Sequence, residues 1–198
     1  MVRASGEGNQ GQREAIVSAA ATRFARFGLE KTTMEDIARA AGKAKSSLYY
    51  YFKSKEAVFA EVIRREIEGL QASILEAVRR EEDPYARFRA FVKARLAYLN
   101  EKADEYTTIR DDHLKHYGFI RDLTGDYSAW EIRTLERLVA EGRDRGDFRV
   151  TDAGAVARAL FFALKGLEYP WTINLTRREI ERSVDLLVDI LLAGIRVA

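Results

Sequence analysis

Cysteine is absent from the 198 residues, so neither a disulfide nor a thiolate metal site is available, which fits a reducing cytoplasmic setting. Nowhere do eighteen apolar residues run together, which argues against a membrane span, and the opening MVRASGEGNQG lacks the apolar core of a secretion signal. There is no strand-like alternation, internal repeat or low-complexity segment, which leaves an all-α reading without a competitor. Gly-rich phosphate loops and Gly-x-Ser-x-Gly elbows are missing as well, so nothing favours an enzyme and no cofactor is expected. Charge of neither sign dominates: the net is +2. Its distribution is lopsided, however. The first 55 residues hold ten Lys/Arg against five Asp/Glu, net +5, while the remainder holds 23 against 26, net −3. A basic N-terminal part on an otherwise acidic chain is the electrostatic footprint of nucleic-acid binding.

The basic part contains TTMEDIARAAGKAKSSLYYYFKSK, residues 32 to 55, which reads as two short helices around a tight turn. Thr32 with Glu35 matches a capping box, so a helix is predicted from about Thr33 to Ala41, and Gly42 supplies the left-handed residue that ends it. A second helix is predicted over Lys45 to Phe52, with Leu48 and Phe52 one turn apart on its buried side. Lys45, Ser46, Ser47, Tyr49, Tyr50 and Tyr51 then face outward. Ammonium groups, hydroxyls and phenols in that arrangement suit phosphate oxygens and base edges, and Lys53 and Lys55 extend the positive edge. An ordinary helical hairpin with a solvated basic face is the bland alternative.

This stretch resembles the DNA-binding module of the tetracycline-repressor (TetR) family of bacterial transcriptional regulators, through TTMEDIARAAG and then SSLYYYFKSKEAVF. The resemblance implies that the second helix enters the major groove of double-stranded DNA with Lys45, Ser46 and Ser47, while Thr33, Tyr49, Tyr51 and Lys55 hold phosphates. The chain departs from the family pattern at Lys43, where an apolar residue is usual, and at Ala44, where a serine cap is common. Lys43 either adds a phosphate contact or lays its stem over the turn.

Taken in order, residues 1 to 11 read as a polar, Gly-rich tail. A first helix is predicted over Gln12 to Phe27 and closed by Gly28, so that a helix-turn-helix domain at 12–54 has the core Ile16, Ala20, Phe24, Phe27, Ile37, Leu48 and Phe52. A ligand-binding and dimerisation domain at 55–198 follows without a linker, beginning with one long helix from Lys55 to about Arg80. Asp83 and Pro84 open the next helix, to about Asn100. A further helix is predicted from Ala103 to about His116, an irregular piece around Gly118 and Gly125, a helix from Asp126 to near Gly146, one capped by Asp152 and broken by Pro170, and a last one capped by Thr176 with Glu179.

Aromatic rings crowd the middle of the chain. Phe88, Phe91, Tyr98, Tyr106, Tyr127 and Trp130, with Arg95 and His113, are the candidate lining of an effector site, because buried polar-tipped rings and a guanidinium need polar partners. For any single ring, core packing is the commoner role. A bulky, largely apolar effector follows, with an acidic or polar end for Arg95 and Lys165. His113 and His116, one helical turn apart beside Asp111 and Asp112, offer the alternative of a metal-dependent sensor or enzyme; no second set of ligands is identifiable, and no metal is assigned. A helical protein-interaction scaffold is the other alternative. Ala159, Phe162 and Gly166 on the penultimate helix, and Val184, Leu187 and Leu191 on the last, form the candidate seam of a homodimer, the last helix being apolar over a wider arc than one neighbour covers. Together with the family resemblance, which implies a ligand-responsive repressor, the expectation is a protein that binds an inverted-repeat operator as a dimer.

Overall fold

The computed structural model describes residues 4–105, 117–166 and 176–195, and among these every regular element is an α-helix. In chain order they are α1 (Ala4–Lys31), α2 (Met34–Ala40), α3 (Lys45–Tyr51), α4 (Lys55–Arg79), α5 (Pro84–Glu105), α6 (Tyr117–Asp144), α7 (Ala153–Gly166) and α8 (Arg177–Ala193). They divide into two compact units. One comprises residues up to Gly69 with the end of α5 and the start of α6; the other takes the rest. One boundary between these units falls inside α4, between Gly69 and Leu70. Val58, Phe59 and Val62 of α4 belong to the same core as Ile16, Ala20, Phe24, Ile37, Leu48 and Phe52.

Several boundaries differ from the sequence reading for identifiable reasons. Helix α1 begins at Ala4, so residues 4–11 of the stretch read as a tail are helical. Once a helix is nucleated, each added residue gains a backbone bond without a new nucleation cost, and nothing in this stretch breaks the ladder. At its other end Gly28, with φ 77° and ψ 171°, takes a conformation open only to glycine and kinks the chain before α2. The capping box is one residue later than expected: Thr33, not Thr32, caps α2, and Asp36, not Glu35, completes the box. Both frames present Thr-x-x-acid. Thr32 is consumed elsewhere, fully buried with its hydroxyl donating to the Gly28 carbonyl at 2.7 Å. Helix α2 ends in a Schellman arrangement in which Gly42 (φ 64°) lets Lys43 N–H reach the Ala38 carbonyl at 2.9 Å.

In the second unit, Asp83 Oδ2 accepts from Ala86 N–H at 2.8 Å and Pro84 begins α5, while Asp152 and the Thr176–Glu179 box start α7 and α8. Helix α5 continues past Asn100 to Glu105, and α6 runs unbroken through Gly118 and Gly125, positions read as irregular. A helical glycine costs only about 1 kcal/mol against alanine, which the surrounding helix supports. The core here is Leu70, Ile74 and Val78 of α4, Phe88, Phe91, Val92 and Leu96 of α5, Leu135, Leu138 and Val139 of α6, and Leu164, Val188 and Leu192 beyond. Ion pairs join α5 to its neighbours: Arg87 to Glu141 of α6, and Arg89 and Lys93 to Asp185 and Asp189 of α8.

Gly142, two residues before the end of α6, sits under Phe148, and a Cβ there would lie 2.1 Å from the ring. Gly142→Ala must displace Phe148 from the core and is expected to cost about 1–3 kcal/mol, a fall of several degrees in melting temperature. Gly125→Ala, whose Cβ would meet nothing within 4 Å, should instead raise stability by up to about 1 kcal/mol. Thermal melts of the two variants check both signs.

Candidate DNA-binding face

Helix α3 has seven residues and no side-chain cap at Ala44, so its position is set by what it buries. Leu48 is fully enclosed and Phe52, its C-cap, is 4% exposed. Arg13 of α1 braces this end of the helix. Its guanidinium lies 5.0 Å from the Phe52 ring centroid and makes a two-pronged bond to Glu61 of α4, at 2.5 and 2.8 Å. Arg64 also bonds Glu61, and these guanidinium hydrogen bonds hold the carboxyl below the usual carboxylate range. Phe24 and Phe59 meet edge to face at 5.1 Å between centroids beneath the same region.

With Leu48 inward, Lys45, Ser46, Ser47, Tyr49 and Tyr50 are exposed, and Tyr50 is the most exposed ring of the face at 77%. Tyr51 is half-buried against the core, with Tyr50 edge-on to it at 5.1 Å. Lys53 is exposed. Thr33, exposed at the start of α2, donates its hydroxyl to Asp36 Oδ2 at 2.7 Å, and its backbone N–H also points there, which holds the Asp36 carboxyl low. Two lysines have work inside the protein that the sequence did not reveal. Lys55 Nζ donates to the carbonyls of Leu29 and Glu30 at 2.8 and 3.1 Å, closing the end of α1, so at most one of its three protons remains for a phosphate. Lys43 donates to Gln12 Oε1 of α1. Thr32, Thr33, Met34, Glu35, Lys45, Tyr49 and Lys55 together line a surface depression. Glu35, an acid on this face that sequence reasoning treated only as a cap, stands 3.7 Å from Lys45 Nζ.

Of the candidate effector lining, Tyr106 and His113 lie outside the described residues, as do His116, Asp111 and Asp112; among the described residues no group of three metal-ligating side chains gathers. Phe88 and Phe91 are core residues, at most 1% exposed. Arg95 is fully buried, but its Nε donates to Glu131 at 2.5 Å, a carboxylate equally buried one helix away. The partner that the sequence reading sought from a ligand is therefore supplied by α6. Tyr127 and Trp130 stack at 5.7 Å, and Lys165 of α7 lies 5.9 Å from the Tyr127 centroid and 5.4 Å from that of Phe161. Tyr98 and Trp130 are half-buried.

On the candidate dimer seam, Ala159, Phe162 and Gly166 are all exposed, Phe162 at 69%. Val184 is not available there. Helix α8 turns Val184, Val188 and Leu192 inward, leaves Leu187 and Leu191 half-buried, and exposes Leu186 and Ile190. The inward stripe follows i, i+4, i+8, whereas the sequence reading followed i, i+3, i+7.

Residues 16–62 match the model of bacterial regulatory proteins of the tetR family, a span that runs from α1 through the start of α4. Over a longer stretch, the chain is 31% identical over 149 residues, 72% of each chain, to the HTH-type transcriptional repressor KstR2 of Rhodococcus jostii (strain RHA1). The chain belongs to the tetR family. The HTH-type transcriptional regulator RutR of Escherichia coli (strain K12) is 36% identical over 119 residues, 60% of this chain and 56% of RutR. In fold, this tetR-family chain is similar to a transcriptional regulator from Cytophaga hutchinsonii, with a TM-score of 0.79 at 25% identity over 94% of this chain and 100% of that one. It is accordingly a DNA-binding transcriptional regulator. Among the described residues no helix is long and apolar enough to cross a membrane.

Glu61 and Asp36 both titrate lower in the folded chain than in the unfolded one. Their stabilisation is thus complete above the ordinary carboxylate range, around pH 4, and is lost as the pH falls through the folded values. Glu61→Gln should cost about 1–3 kcal/mol at pH 7, and the gap between variant and wild type should narrow below about pH 4. Denaturant titrations at pH 7 and pH 3 measure it.

Proposed function

We propose that this tetR-family regulator is a ligand-responsive repressor that binds an inverted-repeat operator as a two-fold dimer. The observation that carries the DNA half of this reading is the outward face of α3, where Lys45, Ser46, Ser47, Tyr49 and Tyr50 are exposed around an enclosed Leu48. A two-fold pair would present these helices to successive major grooves about 34–36 Å apart or a multiple of that. Lys45, Ser46 and Ser47 would read base edges, and Thr33, Tyr49, Tyr51, Lys53 and Lys55 would meet phosphates. For the dimer, support comes from apolar surface that the chain leaves exposed: Phe162 on α7, Leu186 and Ile190 on α8. Such a patch suits a symmetric partner.

The effector reading rests on the half-buried Tyr98 and Trp130 and on the Tyr127–Trp130 stack, which favour a bulky, largely apolar small molecule. Because Arg95 is matched by Glu131, an acidic end on the effector is not required. Helix α4 runs without a loop from Lys55 to Arg79, and displacement along it is the proposed route to the recognition helices. Only an effector that prefers the DNA-incompatible form would release operator.

Operator selection from genomic fragments, followed by binding across a range of salt, tests the DNA reading. Lys53→Ala should weaken binding to all sequences alike and flatten the salt slope by about one unit, whereas Ser46→Ala should change base preference. Lys55→Ala should lower affinity and also destabilise the fold, since it uncaps α1. The double change Leu186→Glu, Ile190→Glu should give a monomer in sedimentation and abolish operator binding, buried unpaired carboxylates costing several kcal/mol. A dimer surviving both charges would place the interface elsewhere.

A further inference from the structure

Glu35 stands on the DNA face without being the cap of α2. The capping role belongs to Asp36, whose Oδ2 takes both donors of Thr33. Met34, Ile37 and Ala38 bury the other side of α2, so Glu35 is turned outward, with its side chain 62% exposed. It shares one depression with Lys45, Tyr49 and Lys55, and its Oε2 lies 3.7 Å from the ammonium of Lys45, the first residue of α3. A contact to Arg39 at 4.0 Å completes its surroundings. Exposed pairs of this kind are weak and open readily.

A carboxylate so close to a groove-entering lysine must face DNA when α3 docks. Phosphates repel it. Among base edges in the major groove, acceptor-only groups find a match in exocyclic amines, and a carboxylate pairs with the N4 amine of cytosine, whereas amide side chains pair with adenine. Resting on the proposed DNA reading, we infer that Glu35 is a second base-reading residue, on α2 rather than α3, which accepts a hydrogen bond from a cytosine N4 amine in each half-site. The same charge penalises DNA that lacks that amine, directly and by keeping Lys45 from phosphates. Glu35 thus sharpens the difference between operator and other DNA at the expense of overall affinity. A purely local role, in which Glu35 only complements the helix dipole of α2 and pairs with Arg39, would move stability but not base preference.

The test selects operators from randomised duplex with full-length wild type, Glu35→Gln and Glu35→Ala, then measures binding to the wild-type operator, to operators altered at each position, and to non-operator duplex, with thermal melts alongside. The expected result is one position per half-site where wild type prefers cytosine by about tenfold, Glu35→Ala has no preference, and Glu35→Gln turns to adenine. Non-operator binding should rise in both variants, with a salt slope steeper by about one unit as Lys45 is released. Glu35→Gln keeps the side-chain shape and decides the matter if Glu35→Ala melts early. Unchanged base preference in Glu35→Gln, whatever happens to stability or non-operator affinity, overturns the inference while leaving the DNA-binding reading intact. A wild type that selects no sequence at all removes the DNA-binding reading itself.

Discussion

The recognition helix depends on contacts that are not its own: those between α1 and the start of α4. Seven residues without a side-chain cap cannot hold a helix in water, because nucleation is unfavourable and so few propagation steps follow it. What holds α3 is the socket that receives Leu48 and Phe52. That socket is closed by Phe24 against Phe59, by Arg13 against Glu61, and by the Lys55 ammonium on the last carbonyls of α1. Two of these three contacts are charge-assisted and reach across at least 25 positions of sequence, so they fix α1 and α4 against each other in orientation as well as in distance. The outward residues of α3 inherit their aim from this arrangement. A DNA-facing side chain can therefore be lost through a change in α1 or α4 that never approaches DNA.

Much of the helical plan was legible because it rests on local chemistry. Asp83 with Pro84, Asp152, and Thr176 with Glu179 are cap signals that need no tertiary information, and Gly42 and Gly146 end helices through backbone angles that other residues rarely adopt. The enclosed Leu48 and Phe52 could likewise be read from one-turn spacing. Legibility failed where two local answers were equally good. Thr32–Glu35 and Thr33–Asp36 are both capping boxes, and only the burial of Thr32 beneath Gly28 chooses between them. In α8 the apolar residues surround so much of the helix that their spacing alone admits several inward stripes; packing selects Val184, Val188 and Leu192. The roles of Lys43 and Lys55 were invisible for another reason. A lysine that bonds a backbone carbonyl or an amide leaves no charge pattern to detect, and its partners are 25 or more residues away.

The Arg95–Glu131 pair shows most clearly what sequence reasoning lacked. A guanidinium among phenylalanines announces that something must neutralise it, since burying an unpaired charge is prohibitively costly. Whether the neutralising group is a ligand or a residue is a question about distance in space. Glu131 lies 36 positions away, in a helix whose many acids look alike in sequence, yet it meets Arg95 with both side chains fully enclosed. The consequence bears on function. Removing either member would leave the other charged and buried, at a cost of about 3–5 kcal/mol, whereas the intact pair presents almost no net charge to its surroundings. An effector entering this unit would then gain less from carrying a carboxylate for Arg95, because Glu131 already meets that charge. If the proposed effector site is formed around Tyr98, Tyr127 and Trp130, discrimination there would come from the shape and area of apolar contact, where one methylene more or less changes affinity by only about 1 kcal/mol. Such a site tolerates related ligands of similar bulk more readily than it tolerates a change of charge.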